Sequence, residues 1–251
     1  MTIAAGALFA CLATLAAPQD EKNILAAVQK FKDDYYKVGA KDDEKINAVN
    51  YLAQYRHEKV VRALAPLLSE APAAVRMIAA RALSNFHDVD LAGRELLNAL
   101  NAGANSGKKQ SCVRIEILRA LGALHFRGAG GTAAKLVQDR EVWVAKAAID
   151  ASARIRVADA VAPLVKALSR IEGKDGDSEV TVDPLDSIIE GYGKNDLFKQ
   201  DPRVTKRPTE RELLRAPILA ALQSITKQAF TSGKEWETWW AKNKATFVVV
   251  D

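Results

Sequence analysis

Four basic residues recur at matching places along the chain and are the first candidates for chemistry. Lys45, Arg76, Arg114 and Arg215 each stand seven residues before an apolar residue (Leu52, Leu83, Leu121 and Leu222). A fifth register point, Ser152, has Ala145 in the corresponding place. Cations ranked in this way could hold an acidic protein partner. Together with Arg203, Lys206, Arg207 and Arg211, they could instead grip a phosphate backbone. The plainer role for such a row is pairing with acidic residues of neighbouring turns, or solvation at the surface.

Other reactive side chains read as structural. His87 and His125 fall four residues after an anchor leucine, where Arg56 and Arg156 occupy the equivalent places. A cation there is favoured by the negative end of a helix dipole. His87-Asp88-x-Asp90 is read as a helix cap. Asp175-x-Asp177-x-Glu179 opens like a calcium loop, but Val180 stands where the sixth-place glycine belongs. No glycine-rich phosphate loop, Ser/His/Asp set, Cys/His nucleophile pair or metal-spaced cluster can be read. The expectation is therefore no catalytic residue, no metal and no cofactor. Trp236, Trp239 and Trp240 share one helical face and predict a cap over the end of the chain, with an aromatic ligand cluster as the alternative.

The elements that must position these residues are helices. Ranged on Leu52, Leu83, Leu121, Ser152 and Leu222, the positions four before, three before and three after are apolar in every unit. Ala48, Val49 and Tyr55 form the first such stripe, Ile117, Leu118 and Leu124 the third. That spacing is one face of a helix. Gaps of 31, 38, 31 and 70 residues separate the anchors, a period expected of stacked helical hairpins. Composition agrees: hydrophobic residues make up 49% of the 251 but aromatics only 6%, which suits close-packed helices better than sheet. A net charge of +5 permits an acidic partner without demanding one.

Between the anchored helices lie their partners. Asn23 to Val38 is predicted as a first helix, with Leu25, Val28, Phe31 and Tyr35 on one face and Gly39 as its stop. Asp42 is the expected cap of the next. His57 to Glu70 holds Ala65-Pro66-Leu67-Leu68, echoed by Ala162-Pro163-Leu164-Val165. Asn101 to Lys109 reads as a polar turn that lengthens one gap to 38. Residues 172–208 break the pattern, acidic at first and basic at the end. A segment of that length in a compact array is usually functional or disordered. Thr209 with Glu212 is a capping box, and Ser232 opens a final helix.

Ile3 to Ala17 is nearly all apolar or small, and is too short to span a bilayer, which needs about 20 residues. Residues 1–20 are read as a secretory signal peptide, a buried N-terminal helix being the alternative. Leu8-Phe9-Ala10-Cys11 also resembles a lipobox, so membrane attachment is expected only if Cys11 is lipidated. Without that segment Cys112 is left alone, and no intramolecular disulfide can form.

The Ala-Pro-Leu-Leu of one helix and the Val75-Arg76-x-x-Ala79-Ala80-x-Ala82-Leu83 of the next resemble HEAT repeats, of the short bacterial kind related to those of phycobilisome lyases. The resemblance covers about residues 24–171 and 209–230. It implies an all-α, right-handed solenoid of about five hairpins closed by a C-terminal helix. Residues 21–171 would form the repeats, 172–208 an insertion, and 209–251 the last repeat helix with its tryptophan-rich cap. The family implies a curved scaffold that binds other macromolecules without a cofactor. With the apolar N-terminus and the missing active-site motifs, the expectation is a non-enzymatic scaffold, in the periplasm or outside the cell, that binds a protein through its concave face and the 172–208 insertion. A nucleic-acid-binding role like that of HEAT-like DNA glycosylases is the alternative, although no Trp-plus-Asp constellation matches that site. A tetrapyrrole-carrier chaperone or lyase role is suggested by the resemblance alone.

Overall fold

The computed structural model describes residues 21–180 and 208–249. All regular elements of the described residues are helical, as composition leads one to expect. The α-helices are α1 (Glu21–Tyr35), α2 (Asp42–Leu52), α3 (Glu58–Leu64), α4 (Leu67–Glu70), α5 (Ala73–Leu83) and α6 (Asp90–Asn101). They continue with α7 (Ser111–Ala123), α8 (Gly130–Leu136), α9 (Val142–Ile155), α10 (Val161–Glu172), α11 (Glu210–Thr226) and α12 (Gly233–Asn243). The expected signal peptide and the 181–207 part of the insertion lie outside the described residues.

The helices pack in two layers, in chain order. In one layer the anchored helices α2, α5, α7, α9 and α11 each lie against the next. In the other, α1 meets α3, and α3 and α4 meet α6. Short 3₁₀ turns carry that layer on to α8 and α10, and α10 then packs on α12. Each anchored helix also packs on the partner before it: α1 on α2, α4 on α5, α6 on α7, α8 on α9, and α10 on α11. The core fills the space between the layers. Leu52, Leu83, Leu121, Leu222 and Ser152 are fully buried there, as are Val49, Ala79, Ile117, Ala148 and Ile218. Truncating one of these leucines to alanine costs about 2–5 kcal/mol.

Several local expectations need correction. In α1 the buried stripe is Ile24, Ala27, Phe31 and Tyr35, while Leu25 is exposed. The face is turned by one residue from the expected one because Ile24, not Leu25, completes the spacing with Ala27 and Phe31. Lys41, not Asp42, is the N-cap of α2, and its backbone N–H donates to the Glu44 carboxylate at 2.9 Å. Val89 caps α6, with Asp90 as the first helical residue and paired to Arg94. The run from His57 to Glu70 is two helices. His57 caps the first through Nδ1, which accepts from the Lys59 N–H at 3.1 Å, and Pro66 separates it from α4. Pro163 causes no such break, since it sits in the first turn of α10, where a missing N–H leaves no bond unmade.

α1 ends at Tyr35, short of Val38, so Gly39, with φ of 79°, lies in the turn that follows and not at the helix end. Other signals hold. Thr209 accepts from Glu212 N–H at 3.2 Å and donates its own N–H to the Glu212 carboxylate at 2.8 Å. The residues on either side of 181–207 form a neck joined by main-chain bonds. Val180 N–H donates to Pro208 O, and Glu210 N–H to Ser178 O, each at 2.9 Å. Arg170 forks onto the Glu210 carboxylate, and Arg211 donates to Ile171 O at 2.8 Å and Gly173 O at 2.7 Å. The two ends of the insertion are thus held side by side.

Candidate functional site

The ladder of cations lies seven residues, two turns, before each anchor, close to the following turn, and most of it faces the chain itself. Arg76 is buried; its Nη1 donates to Ala104 O and to Asn105 Oδ1, both at 2.8 Å, and its Nη2 to Gln110 Oε1 at 3.0 Å. All three acceptors are uncharged, and burial lowers the guanidinium pKa below its ordinary value. Arginine stays charged even so. Arg114 is ion-paired with Asp139, both largely buried, and Asp139 also accepts the Glu141 N–H. Arg215 contacts the Glu172 carboxylate at 3.2 Å and donates to Thr231 O at 2.7 Å. Lys45 differs: it is half-buried, with its ammonium 5.8 Å from the Tyr35 ring centroid. In three of four rungs, then, the cation staples its helix to the next turn. Arg203, Lys206 and Arg207 lie outside the described residues.

The turn between α6 and α7 is mostly exposed, as a polar turn should be, but Asn105 within it is buried. It holds two 3₁₀ turns, Gly103–Asn105 and Lys108–Gln110, packed on α4, α6 and α7 and tied to α5 by Arg76. Asn105 has no exposed surface; its amide donates to Leu68 O at 2.9 Å and Ala99 O at 2.8 Å while its carbonyl accepts from Arg76.

A different set of side chains faces out from the anchored helices. Arg81 on α5, Glu116 and Arg119 on α7, and Asp150 and Arg154 on α9 line a half-open cleft of about 270 Å³, floored by Gly122 and Ala151. Glu116 is buried to 4% exposure. Its Oε1 accepts from Arg81 Nη2 at 2.9 Å and from Arg119 Nη1 at 3.2 Å. Both arginine side chains are otherwise about half exposed, at 54% and 51%. Asp150 pairs with Lys146 on its own helix at 2.9 Å. The Arg154 guanidinium has no partner among the described residues; its stem lies over Gly122, where an added Cβ would stand 3.4 Å from Cδ and 3.0 Å from the Ala151 backbone. Gly122 thus lets α7 and α9 approach closely enough to bring Arg119 and Arg154 to one cleft. The register of the anchors carried this signal: Arg81 and Arg119 stand two before their anchors and Arg154 two after. It was overshadowed because the same column holds Asn50, Asp150 and Ala220.

The neighbouring turns add basic groups. His125 and Arg156 take left-handed φ of 50° and 59° beyond the ends of α7 and α9, and His125 Nδ1 lies 2.8 Å from Arg154 O. Together with Arg127 and Arg154 they border a second hollow, of about 380 Å³. Their place at two helix C-termini fits the dipole reading given for His125. His57 is instead an N-cap. Asp177, from the calcium-like run, faces Arg211 Nη1 at 3.1 Å, and no group of metal-ligating side chains converges among the described residues.

The tryptophans divide. Trp236 is wholly buried, and its Nε1 donates to Phe230 O at 3.2 Å. Trp239 and Trp240 are half-buried and meet Phe247 edge to face, as Trp239 also meets Trp236. All three belong to the apolar cluster that α10 and α11 form. Phe230 and Phe247 complete the cluster and lie off the helical spacing that marked the tryptophans. No protein-family model matches the chain, and no curated protein matches it in sequence.

Proposed function

We propose that this chain is a HEAT-like, right-handed α-solenoid of about five helical hairpins that acts as a non-enzymatic scaffold for a protein partner. The observation that carries the reading is the packing order: every anchored helix lies on the next, with its own partner helix behind it. Such an array is extended by repetition and leaves one side of the anchored helices uncovered, the usual binding surface of solenoids. In this chain that side bears the Arg81–Glu116–Arg119–Arg154 cleft. Residues 1–20 act as an export signal on the same proposal, and the partner is then met in the periplasm or outside the cell. Intact mass and cell fractionation test that part: a full-length cytosolic product removes it. No helix among the described residues is long and apolar enough to cross a membrane.

A nucleic-acid partner draws less support. Arg76, Arg114, Arg211 and Arg215 already serve oxygens of the chain, and a phosphate backbone needs a row of available cations. The scaffold reading is tested by photo-crosslinking in the native host. Crosslinking residues replace Ser84 and Ala123, beside the cleft, and Arg94 and Lys166 in the other layer. A discrete protein adduct from the first pair alone is expected. Adducts from the second pair only, or from none, overturn the proposal.

A further inference from the structure

Resting on that reading of the face, we infer that the Arg81–Glu116–Arg119–Arg154 cleft is a carboxylate-binding site that receives an acidic segment of the partner protein. The cleft is already built around one carboxylate. Glu116, buried between two guanidiniums on adjacent helices, holds Arg81 and Arg119 in place before any ligand arrives. That removes part of the side-chain ordering cost of binding.

Charge decides what the cleft lacks. One Glu116 carboxylate serves two guanidiniums, leaving one positive unit over. Asp150 is answered by Lys146, and Arg154 adds a second unit with no partner among the described residues. A guanidinium carries five N–H donors, and Arg81 and Arg119 each spend an Nη group on Glu116. Arg81, Arg119 and Arg154 are all exposed residues, so donors not spent on Glu116 face water and can be claimed by a ligand. Two acidic side chains on one extended peptide match that excess and the forked geometry of the donors.

The same facts speak against a nucleic-acid backbone here. The cations sit on three successive anchored helices around one hollow of about 270 Å³. A polyphosphate strand has no continuous row of cations to follow there. The chemistry that fits is a short run of aspartate or glutamate.

The probe is a fluorescein-labelled, end-blocked hexaglutamate peptide, followed by anisotropy at low salt with the full-length protein. Hexaglutamine and a six-nucleotide oligothymidylate are the comparison probes. Hexaglutamate binding to the wild type is expected, weakening about tenfold in Arg154→Gln, the loss of one charge-assisted contact. Lys166→Gln, which removes the same charge from the other layer, is expected to change affinity less than twofold. Arg154 makes no internal contact through its guanidinium among the described residues, so the circular dichroism spectrum of the variant should match the wild type. Equal affinity for wild type and Arg154→Gln, tighter binding of oligothymidylate, or no hexaglutamate binding at all each overturns the inference. Crosslinks at Ser84 and Ala123 that persist in Arg154→Gln would leave the scaffold standing and sink the acidic-segment chemistry alone. Their absence from the wild type would sink the scaffold.

Discussion

Replacing Asn105 with alanine removes the amide that locks the turn between α6 and α7. Three hydrogen bonds go with it: two donated, to Leu68 O and Ala99 O, and one accepted from Arg76. The losses are unequal. Ala99 O keeps the Ala102 N–H at 3.2 Å, and Arg76 Nη1 keeps Ala104 O. Leu68 O loses its side-chain partner in a buried place. At about 1 kcal/mol for each bond, the sum is about 3 kcal/mol. Hydrogen exchange followed by mass spectrometry gives the local reading. At about 1.4 kcal/mol per tenfold, the Ser106 and Gln110 amides, which close the two 3₁₀ turns, should exchange about a hundredfold faster. Urea unfolding gives the global one. Asn105→Asp separates the two halves of the argument: it keeps an acceptor for Arg76 and adds a charge partner, yet loses both donated bonds. If the donors decide, that variant stays well below the wild type in stability. An Asn105→Ala variant within about 0.5 kcal/mol of wild type with unchanged exchange, or an Asn105→Asp variant as stable as wild type, refutes the reasoning.

Further outcomes follow from single contacts. Gly93→Ala should destabilise the protein by about 1–2 kcal/mol: an added Cβ overlaps the Phe126 ring, and that overpacking exceeds the helix-propensity gain of about 1 kcal/mol. A higher melting temperature would contradict it. Ser152→Ala should raise the melting temperature by about 2–4 °C, because the Ser152 hydroxyl is fully buried with no hydrogen-bond partner among the described residues. Calorimetry showing a fall would mean that the hydroxyl is satisfied. The Glu235 carboxyl is held below its ordinary pKa, first by the Ser232 hydroxyl and then by the Thr231 and Ser232 N–H groups. A lowered folded-state pKa adds stability above the unfolded carboxylate value, and that contribution is lost as pH falls through the folded value. Near-ultraviolet dichroism of the tryptophans should therefore weaken on acidification in the wild type. Glu235→Gln should start weaker and show a flatter acid limb; an identical acid limb in both would refute the assignment.

The sequence legibly carried the helices and their anchors, because each anchor stripe repeats a spacing that only one periodicity satisfies. It was less able to say which way a cation points. Arg76 and Arg81 lie five residues apart on one helix; one is buried among neutral acceptors and the other lines an open cleft. Charge type is identical in both, and the difference comes from what the next helix pair brings near. Asn105 hid for a related reason. A polar residue among glycines and serines looks solvated until two helix ends present it with bare carbonyls. Gly122 gave no local signal either, since its value lies in the distance to Ala151 across the layer.

The neck at Val180 and Pro208 sets the terms on which this chain can change. Its bonds run between main-chain groups of residues 178–180 and 208–210 and between Arg170, Arg211 and their acceptors. A segment placed between Val180 and Pro208 is joined to the helices at that port, and α10 and α11 pack directly on each other. Loop-closure entropy grows slowly with length. The array is consequently a base onto which other segments can be grafted at one place, and recognition carried there can diverge while the helices beneath stay as they are.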